Sequence, residues 1–490
     1  MQTFSSPSNG LLRLTVSFPR NHVVTRRTAP ISAAANPLPP PRHKILPCRF
    51  RSQSPTSLPT MARLPPLALA ALLFLGVLAA CRAANDPRAV LLPVRKDGAR
   101  GQYVTGFRQR TPLVPVTAVL DLAGDMLWLD CERGFASSTF RGVPCGSKQC
   151  RLAGRPSCHF DSCPAGKLRP SCLNDTCGVF PLNPDLLMTN GNVIADVLAL
   201  PTTSSSRPAP LATAPAFVFT CTFTLLTKGL AAGATGVASL SRAPLAFPTQ
   251  LAATFRFSRR FALCLPPAGA AGAVVFGDAR YAFQGGADLS KSLIYTPLLV
   301  NPAKTPGFSG GGKSEEYFLA LTGIRVNGRA VPVNATLLAF GAKGVGGAKL
   351  STVAPYTVLE TSIHRAVTDA FAAATAGIPR AKAVAPFKLC YDGSKVARTR
   401  VGPGVPTIEL VLQGGATTWV VFGANSMVAT RGGALCLGVV EGGKAPGPSV
   451  VIGGHMMEDN LLEFDLAASR LGFSSSLLFR QTNCNNFRPG

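Results

Sequence analysis

Apolar and polar residues alternate in short runs along most of the chain, and turn-forming residues separate these runs. Many short strands between Gly, Pro and Ser turns are typical of an all-β protein. Helical spacing is rare, but residues 364–376 show it before Gly377, and residues 249–255 predict a second, shorter helix. The runs that predict strands are 89–94, 116–120, 193–200, 217–219, 273–276, 317–326, 407–412, 418–422, 449–452 and 471–473.

The same pattern divides the chain into two halves, 85–292 and 293–490. A run around Gly236 in the first half matches one that reaches Gly453 in the second, which predicts an internal duplication. A glycine at such a position lets one strand pass close behind a turn, where a side chain would clash.

Two segments precede the predicted fold. Residues 61–84 have a basic start, an apolar run and small residues near Ala84, the pattern of a secretory signal peptide. The apolar run is marginal for a membrane span, so a retained anchor is the alternative. Residues 1–60 contain eight Lys or Arg and no Asp or Glu, which suits either a transit peptide or an extension upstream of a true start at Met61. We expect a mature protein secreted to the extracellular space or cell wall, with no membrane attachment after cleavage.

The remaining chain is strongly basic. Removal of residues 1–83 leaves 39 Lys and Arg against 23 Asp and Glu, a net charge of about +16. Such a charge favours polyanionic partners. The cations are scattered and no basic-aromatic motif is present, which argues against nucleic acid. An acidic cell-wall polysaccharide or an acidic protein is the better candidate, and a charge that serves solubility alone stays open.

Cysteine usage supports export. Fourteen cysteines occur, and the twelve beyond the predicted signal segment are an even number. Seven lie irregularly spaced between Cys131 and Cys177, which favours disulfides in an oxidising compartment over a zinc site. No metal or cofactor is predicted. Asn-x-Thr sequons at Asn174 and Asn334 predict glycosylation.

The most specific signal is a strand that enters an acid-bearing turn, residues 119–128. This segment resembles the active-site loop of a pepsin-like protease, normally Asp-Thr-Gly between apolar residues. Here Asp121 is followed by Leu122 and Ala123 instead of Thr. The second loop that such an enzyme needs corresponds to residues 349–354, where Ser351 stands and no Asp occurs.

Further motifs, in the same order, identify a family. The chain resembles the plant group that contains basic 7S globulin, the extracellular dermal glycoprotein of carrot and the wheat-type xylanase inhibitors. This resemblance implies a bilobal, pepsin-like, all-β fold with six disulfides, among them Cys390–Cys436 within the second lobe and Cys264–Cys484 across the lobes. The pairing of the first-lobe cysteines stays open. The motifs lie at 121–128, 260–265, 273–277, 295–298, 350–352, 387–391 and 453–460.

By this resemblance the catalytic machinery is incomplete. An aspartic protease uses two carboxylates ~3 Å apart that share a proton. Asp121 supplies one, whereas Ser351 stands in the second position, and Asp125 is expected to point along the next strand. The lid segment 180–188 lacks the Tyr and the Asp-Gly turn of active relatives. We therefore predict no enzyme, with a residual aspartic endopeptidase as an alternative.

The resemblance implies a binding protein that inhibits a microbial xylanase or endoglucanase in plant defence. Some relatives insert a second-lobe loop and a C-terminal His into the target's cleft, where retaining glycosidases hold paired carboxylates. This chain has Arg480 near that point, which is either a bidentate partner for a carboxylate or a surface charge. Loop residues Tyr356 and Leu359 are further candidate contacts. A storage or peptide- or ligand-binding protein like basic 7S globulin is the other alternative.

Overall fold

A computed structural model describes residues 87–490 apart from 155, 160–169, 171–172, 205–207, 305–311, 342, 414, 416 and 445–446. The predicted extension 1–60 and signal segment 61–84 lie outside the described residues. Strands dominate the described chain, which confirms the all-β prediction. None of the described helices has the length and apolarity needed to cross a membrane.

The strands, in chain order, are β1 (Ala89–Lys96), β2 (Tyr103–Gln109), β3 (Val114–Asp121), β4 (Trp128–Asp130), β5 (Arg141–Gly142), β6 (Ser157–His159), β7 (Thr176–Val179), β8 (Gly191–Pro201), β9 (Leu211–Thr222), β10 (Gly236–Ser239), β11 (Arg260–Cys264), β12 (Ala271–Gly277), β13 (Ile294–Leu299), β14 (Phe318–Leu319), β15 (Leu321–Val326), β16 (Arg329–Ala330), β17 (Ala348–Leu350), β18 (Thr357–Leu359), β19 (Arg380–Ala381), β20 (Cys390–Asp392), β21 (Arg398–Thr399), β22 (Gly402–Pro403), β23 (Ile408–Leu412), β24 (Thr418–Val421), β25 (Met427–Ala429), β26 (Ala434–Leu437), β27 (Val439–Glu441), β28 (Val450–Ile452), β29 (Asn460–Asp465) and β30 (Arg470–Ser476).

Helices are short and few in the described chain. The α-helices are α1 (Lys148–Leu152), α2 (Phe247–Phe255), α3 (Ala335–Leu338), α4 (Thr361–Ala374), α5 (Gly423–Ser426) and α6 (Gly454–Met457). Single 3₁₀ turns occur at Thr224–Thr227, Gly393–Lys395, Leu477–Arg480 and Cys484–Asn486.

The predicted strands and helices are present, but several have other bounds; the run 217–219, for example, is part of the longer β9 (Leu211–Thr222). The run 317–326 is split between β14 and β15. Helix α4 begins earlier than the apolar spacing indicates, because the Glu360 carboxylate accepts hydrogen bonds from the backbone N–H groups of Ser362 (2.8 Å) and Ile363 (3.3 Å). This side chain satisfies amides that a helix start leaves without partners. Ile363, Val367 and Phe371 form the buried face of α4.

Strands from both halves of the chain meet in one sheet of twenty strands. Strand β11 pairs antiparallel with β12 of the first half and with β29 of the second. Phe261 of β11 stacks on Phe464 of β29 with ring centroids 4.5 Å apart. Among the described residues, three smaller sheets belong to the second half: β16-β15-β23-β24, β19-β20-β26-β25 and β21-β22. The continuous core fixes the positions of the two turns described below.

The predicted duplication takes the form of two equivalent strand groups. Strand β10 pairs parallel with β3 and antiparallel with β4, and β28 pairs parallel with β17 and antiparallel with β18. The register corrects one detail. Asp121 lies opposite Ser239, and continuing the Leu350–Ile452 register by one residue brings Ser351 opposite Gly453. Ser239, rather than Gly236, is therefore the counterpart of Gly453.

The part of the chain that the structure describes contains five disulfides. Both bridges that the resemblance implied, Cys264–Cys484 and Cys390–Cys436, are among them. The pairings that the sequence left open are Cys131–Cys221, Cys145–Cys158 and Cys150–Cys177. Cys163 and Cys172 lie outside the described residues, so the sixth bridge stays a prediction. The Cys264–Cys484 bridge ties the C-terminal segment to β11.

Candidate functional site

The first turn of the site follows β3 and is held by the Asp121 side chain and by two serines at the end of β10 and just after it. The Asp121 carboxylate accepts the backbone N–H of Ala123 at 2.9 Å. The Ser239 hydroxyl lies 2.8 Å from the carbonyl oxygens of both Ala123 and Gly124, and the Ser241 hydroxyl donates to the Gly124 carbonyl at 2.6 Å. The sequence did not reveal these serines, because small polar residues in an apolar strand read as weak strand positions.

The second turn follows β17 and reaches across to the first. The Thr352 hydroxyl, which is fully buried, donates to the Leu120 carbonyl at 2.8 Å and accepts the Leu122 N–H at 3.2 Å. Leu122 has no hydroxyl, so its side chain returns no hydrogen bond. The Ser351 hydroxyl accepts the N–H of Ala354 at 3.2 Å within its own turn. Among the described residues, the Thr352 side chain therefore bonds to the backbone beside the first turn, and the Leu122 side chain makes no equivalent bond to the second turn.

A cavity of about 550 Å³ lies against both turns, and its lining includes Asp121 and Ser351. This volume is within the ~300–1,000 Å³ typical of ligand pockets. Apolar side chains such as Met126, Trp128 and Val353 contribute to its walls. The site therefore combines a mostly apolar wall with a few charged groups at its centre.

The charged groups at the centre act on Asp121. Burial raises the pKa of Asp121 to about 6, although the Ala123 N–H and the Lys349 charge lower it and the Glu316 charge raises it further. Lys349 and Glu316 also line the cavity, and their side chains form an ion pair at 2.5 Å. Sequence reasoning missed both. The available signal was Lys349 between buried Ala348 and Leu350, since strand alternation turns it away from the core.

Asp125 also lines the cavity, and its partner is a cation. Its carboxylate pairs with the Lys304 ammonium at 3.5 Å. Lys304 belongs to the second half of the chain, so this ion pair spans the two halves at the edge of the cavity.

The lid segment predicted at 180–188 forms a short hairpin over the cavity. Leu182 pairs with Met188, and the N–H of Asn183 donates to the Leu187 carbonyl at 2.9 Å. Asn183 is 3 % exposed, and its side-chain amide donates to the carbonyls of Leu226 (3.1 Å) and Lys228 (2.8 Å).

Below the lid, the Trp128 indole N–H donates to the Leu182 carbonyl at 3.2 Å. The lid carries three exposed apolar side chains, Phe180, Leu186 and Met188, of which Phe180 and Leu186 also line the cavity. Backbone and amide contacts therefore hold a lid that has no tyrosine.

Comparison with known proteins assigns the family. Residues 103–278 match the family described as Xylanase inhibitor N-terminal, and residues 316–475 match Xylanase inhibitor C-terminal. The chain is 45% identical over 420 residues to Probable aspartic proteinase GIP2 of Nicotiana benthamiana, covering 82% of this chain and 92% of that protein. The chain belongs to the xylanase-inhibitor family of pepsin-like proteins. The family contains relatives named as proteinases, globulins and conglutins.

Solved structures support the same assignment to the xylanase-inhibitor family. The crystal structure of edgp is 44% identical with a TM-score of 0.79, covering 82% of this chain and 98% of that one. Basic 7S globulin from soybean is 33% identical with a TM-score of 0.69, covering 82% of this chain and 99% of that one. These similarities confirm the predicted pepsin-like fold.

The contact residues predicted from the xylanase-inhibitor resemblance do not line the cavity. Arg480 ends the 3₁₀ turn Leu477–Arg480 and is exposed. Tyr356 is half-buried, with its ring 4.7 Å from that of Phe387. The prediction that Leu359 contacts a partner is wrong. Leu359 is 3 % exposed and packs in the main core, because strand alternation turns it inward. It offers a partner no surface.

The two predicted glycosylation sites lie on exposed parts of this xylanase-inhibitor-type fold. Asn174 is exposed just before β7. Asn334 is exposed and caps α3, where its side-chain oxygen accepts the N–H of Thr336 at 3.0 Å. Modification of either residue stays a prediction. Among the described residues no group of His, Cys, Asp and Glu side chains is arranged to hold a metal ion.

Proposed function

We propose that this protein is a secreted, glycosylated and proteolytically inactive member of its family, which binds and inhibits a microbial xylanase or endoglucanase in plant defence. The observation that supports this most is the lone carboxylate between the two turns. Asp121 stands where the first turn begins, whereas Ser351 stands at the corresponding position of the second turn, and both line the cavity. The family match adds the expectation of a glycosidase as target.

The chemistry of peptide hydrolysis supports the proposal that Asp121 and Ser351 together are catalytically inactive. One carboxylate must take a proton from water while a second group donates to the substrate carbonyl. Asp121 can fill one of these roles at a time. Glu316 and Asp125 are the other carboxylates of the cavity, but they pair with Lys349 and Lys304. A serine hydroxyl cannot replace the second carboxylate in this exchange.

The inhibitory contact is assigned to Arg480 and Tyr356. A planar guanidinium binds a carboxylate through two parallel hydrogen bonds, and the cleft of a retaining glycosidase holds two carboxyl groups ~5–5.5 Å apart. Arg480 is exposed at the end of its 3₁₀ turn and can enter such a cleft. The neighbouring Phe479 is 52% exposed and adds apolar contact area.

Inhibition assays with purified secreted protein test this proposal. Residues 84–490 are incubated with a panel of fungal and bacterial endo-xylanases and endoglucanases. At least one enzyme is expected to be inhibited with saturation, and Arg480→Ala to weaken inhibition by on the order of tenfold or more. Arg329→Ala, an exposed arginine of β16, is the matched control and should inhibit like the parent. Absence of inhibition across the panel by a folded sample rejects the proposal.

A ligand-binding role like that of basic 7S globulin is the second candidate, and the cavity of about 550 Å³ under the lid favours it. It predicts saturable binding of a peptide or apolar ligand that Val353→Trp, which fills the cavity, abolishes. Retained glycosidase inhibition in that variant would separate the two functions.

A residual endopeptidase is the remaining alternative. It predicts pepstatin-sensitive cleavage of protein substrates at acid pH that Asp121→Ala removes.

A further inference from the structure

A second depression lies in the second half of the chain and shares no lining residue with the cavity beside Asp121. We call it the basic groove; its walls are β19, β20, the turn Gly393–Lys395, the β21–β22 hairpin and the segment from β25 into β26. Its volume is about 850 Å³, within the ~300–1,000 Å³ of ligand-binding pockets. Its size alone allows a ligand of several sugar or amino-acid units.

The groove carries positive charge that the protein does not neutralise. Arg380 and Arg398 line it, and exposed Lys395, Arg400 and Arg431 are adjacent in sequence to lining residues. None of these cations forms an ion pair with the residues that the structure describes. Exposed arginines elsewhere, such as Arg329, likewise form no ion pair with the described residues, so the groove is distinguished by five cations in or beside it against one acid among its described lining residues. Such a cluster of cations attracts anions.

The carboxylate of Asp392, which lines the groove, is hydrogen-bonded within the protein. Asp392 is the one acidic residue among the lining residues, and its carboxylate accepts the N–H (3.0 Å) and hydroxyl (2.7 Å) of Ser394. These hydrogen bonds hold the pKa of Asp392 below its usual range, with a smaller effect from the Lys395 charge. Asp392 thus stabilises the wall, while Arg398 on the exposed β21 remains available for a ligand anion.

Arg380 is held in position by its neighbours. Its guanidinium lies over the Tyr391 ring, 4.9 Å from the centroid. A cation fixed in this way loses less conformational freedom when it binds an anion, which favours binding. Arg380 and Arg398 both offer the planar fork that matches a carboxylate.

Three further lining side chains carry hydroxyl groups that are suited to sugar hydroxyl groups. Ser394, Thr399 and Thr430 donate their own protons to the protein, to Asp392 (2.7 Å), the Gly402 carbonyl (2.7 Å) and the Ala434 carbonyl (2.9 Å) respectively. Their oxygen lone pairs can still accept hydrogen bonds from a ligand. None of the described residues that line the groove is aromatic, whereas single-stranded nucleic acid is bound largely by stacking on aromatic rings.

We propose that the basic groove binds a linear polyuronate, a glycan with a carboxylate on each sugar. Arg380 and Arg398 bind carboxylates, and the hydroxyl-bearing side chains accept hydrogen bonds from sugar hydroxyl groups. This site is independent of the proposed glycosidase inhibition and of the cavity beside Asp121. Binding through exposed cations weakens as salt rises, because the Debye length falls from ~10 Å at 0.1 M to ~3 Å at 1 M.

Calorimetric titration of the secreted chain with a defined oligogalacturonate tests the site. Binding is expected at low salt, and full methyl esterification of the same oligosaccharide should abolish it because the carboxylates are then neutral. Arg398→Glu is expected to weaken binding by on the order of tenfold or more. Arg329→Glu makes the same change in net charge at an exposed residue outside the groove, and should change affinity less than about twofold.

Several outcomes would overturn the proposal. Absence of binding by the parent chain is one, and equal weakening by Arg398→Glu and Arg329→Glu is another, since it would mean attraction to net charge only. Tighter binding of a single-stranded oligonucleotide, lost in Arg398→Glu, would assign the groove to nucleic acid instead. Arg398→Gln replaces Arg398→Glu if that variant does not fold.

Failure of the proposed polyuronate binding and failure of the proposed glycosidase inhibition are distinguished by assaying two variants for both activities. Arg398→Glu should keep its glycosidase inhibition, and Arg480→Ala should keep its affinity for oligogalacturonate.

Discussion

Asp121 lies at the end of β3 beside a cavity, with its carboxylate bound to the Ala123 N–H and its pKa raised to about 6 by burial. The sequence predicted its position because an acid between apolar strand residues and a turn is uncommon. It did not predict the nearby ion pair of Lys349 and Glu316. Charged residues in a strand normally indicate a solvent face, and only the fold shows that this face borders the cavity.

Replacement of Asp121 by Asn should stabilise the protein increasingly as pH rises from about 4 to 6. The folded pKa of about 6 exceeds the reference value of 3.8, so the folded state holds its proton more tightly than the unfolded state. Stability is therefore lost as pH rises through this window, by at most ~2–3 kcal/mol. Asn avoids this loss and keeps the acceptor for Ala123.

Denaturant unfolding with disulfides intact, at pH values from 4 to 7, measures the effect of Asp121→Asn. Replacement of the exposed lid residue Asp185 by Asn is the matched control. A difference between Asp121→Asn and the parent that is independent of pH would contradict the role assigned to burial.

Most strands were predictable from the sequence. Alternation of apolar and polar residues, and Gly or Pro at the turns, are features of neighbouring residues alone. Local signals did not reveal what holds the lid. Asn183 is buried and bonds to the carbonyls of Leu226 and Lys228, residues more than forty positions away. Similarly, α4 begins earlier than predicted, because the Glu360 side chain accepts hydrogen bonds from the first amides of the helix. Hydrophobic spacing carries no information about such bonds.

Replacement of Asn183 by Ala should loosen the lid hairpin. The variant loses the bonds to Leu226 and Lys228 and the one accepted from the Leu187 N–H at 2.8 Å. Loss of buried hydrogen-bond partners is expected to lower the free energy of unfolding by ~2–3 kcal/mol. Hydrogen exchange at the Leu186 and Leu187 amides should accelerate.

Asp185→Ala, in the same hairpin but exposed, should change stability by less than ~0.5 kcal/mol. Equal effects of Asn183→Ala and Asp185→Ala, or unchanged exchange in the lid, would show that Asn183 is not the anchor.

For the whole molecule, a buried polar network joins the two halves. The Glu458 carboxylate accepts hydrogen bonds from Lys96 (2.6 Å) and Tyr103 (2.8 Å) of the first half and contacts the His455 ring nitrogen at 3.0 Å. The other ring nitrogen of His455 lies 3.0 Å from the Met427 carbonyl. Sequence could not reveal this network, since Lys96 and Glu458 are 362 positions apart and no motif links them.

Replacement of Glu458 by Gln should destabilise the protein near neutral pH, by up to ~3–5 kcal/mol, because Lys96, whose side chain is 13% exposed, loses its counter-charge. Burial alone would raise the pKa of Glu458, but the hydrogen bond and charge of His455 and the charge of Lys96 lower it overall. A lowered folded pKa means that this stabilisation is present above the usual value of 4.5 and is lost as pH falls through the folded pKa.

The difference in unfolding free energy between the parent and Glu458→Gln should therefore shrink as pH falls below 4.5. Asp369→Asn, on the exposed face of α4, is the control. A gap between parent and Glu458→Gln that stays constant, or widens in acid, would contradict this account of the network.

We propose that the chain inhibits a glycosidase without cutting it, and a single incubation tests both parts. A sensitive xylanase or endoglucanase is titrated with the secreted protein at acid pH, and residual activity and intact mass are measured in the same samples. Saturable loss of glycosidase activity is expected, with no change in mass and with recovery of activity when the complex is dissociated. Loss of activity with cleavage products that Asp121→Ala prevents would contradict it, as would full activity with every enzyme tested.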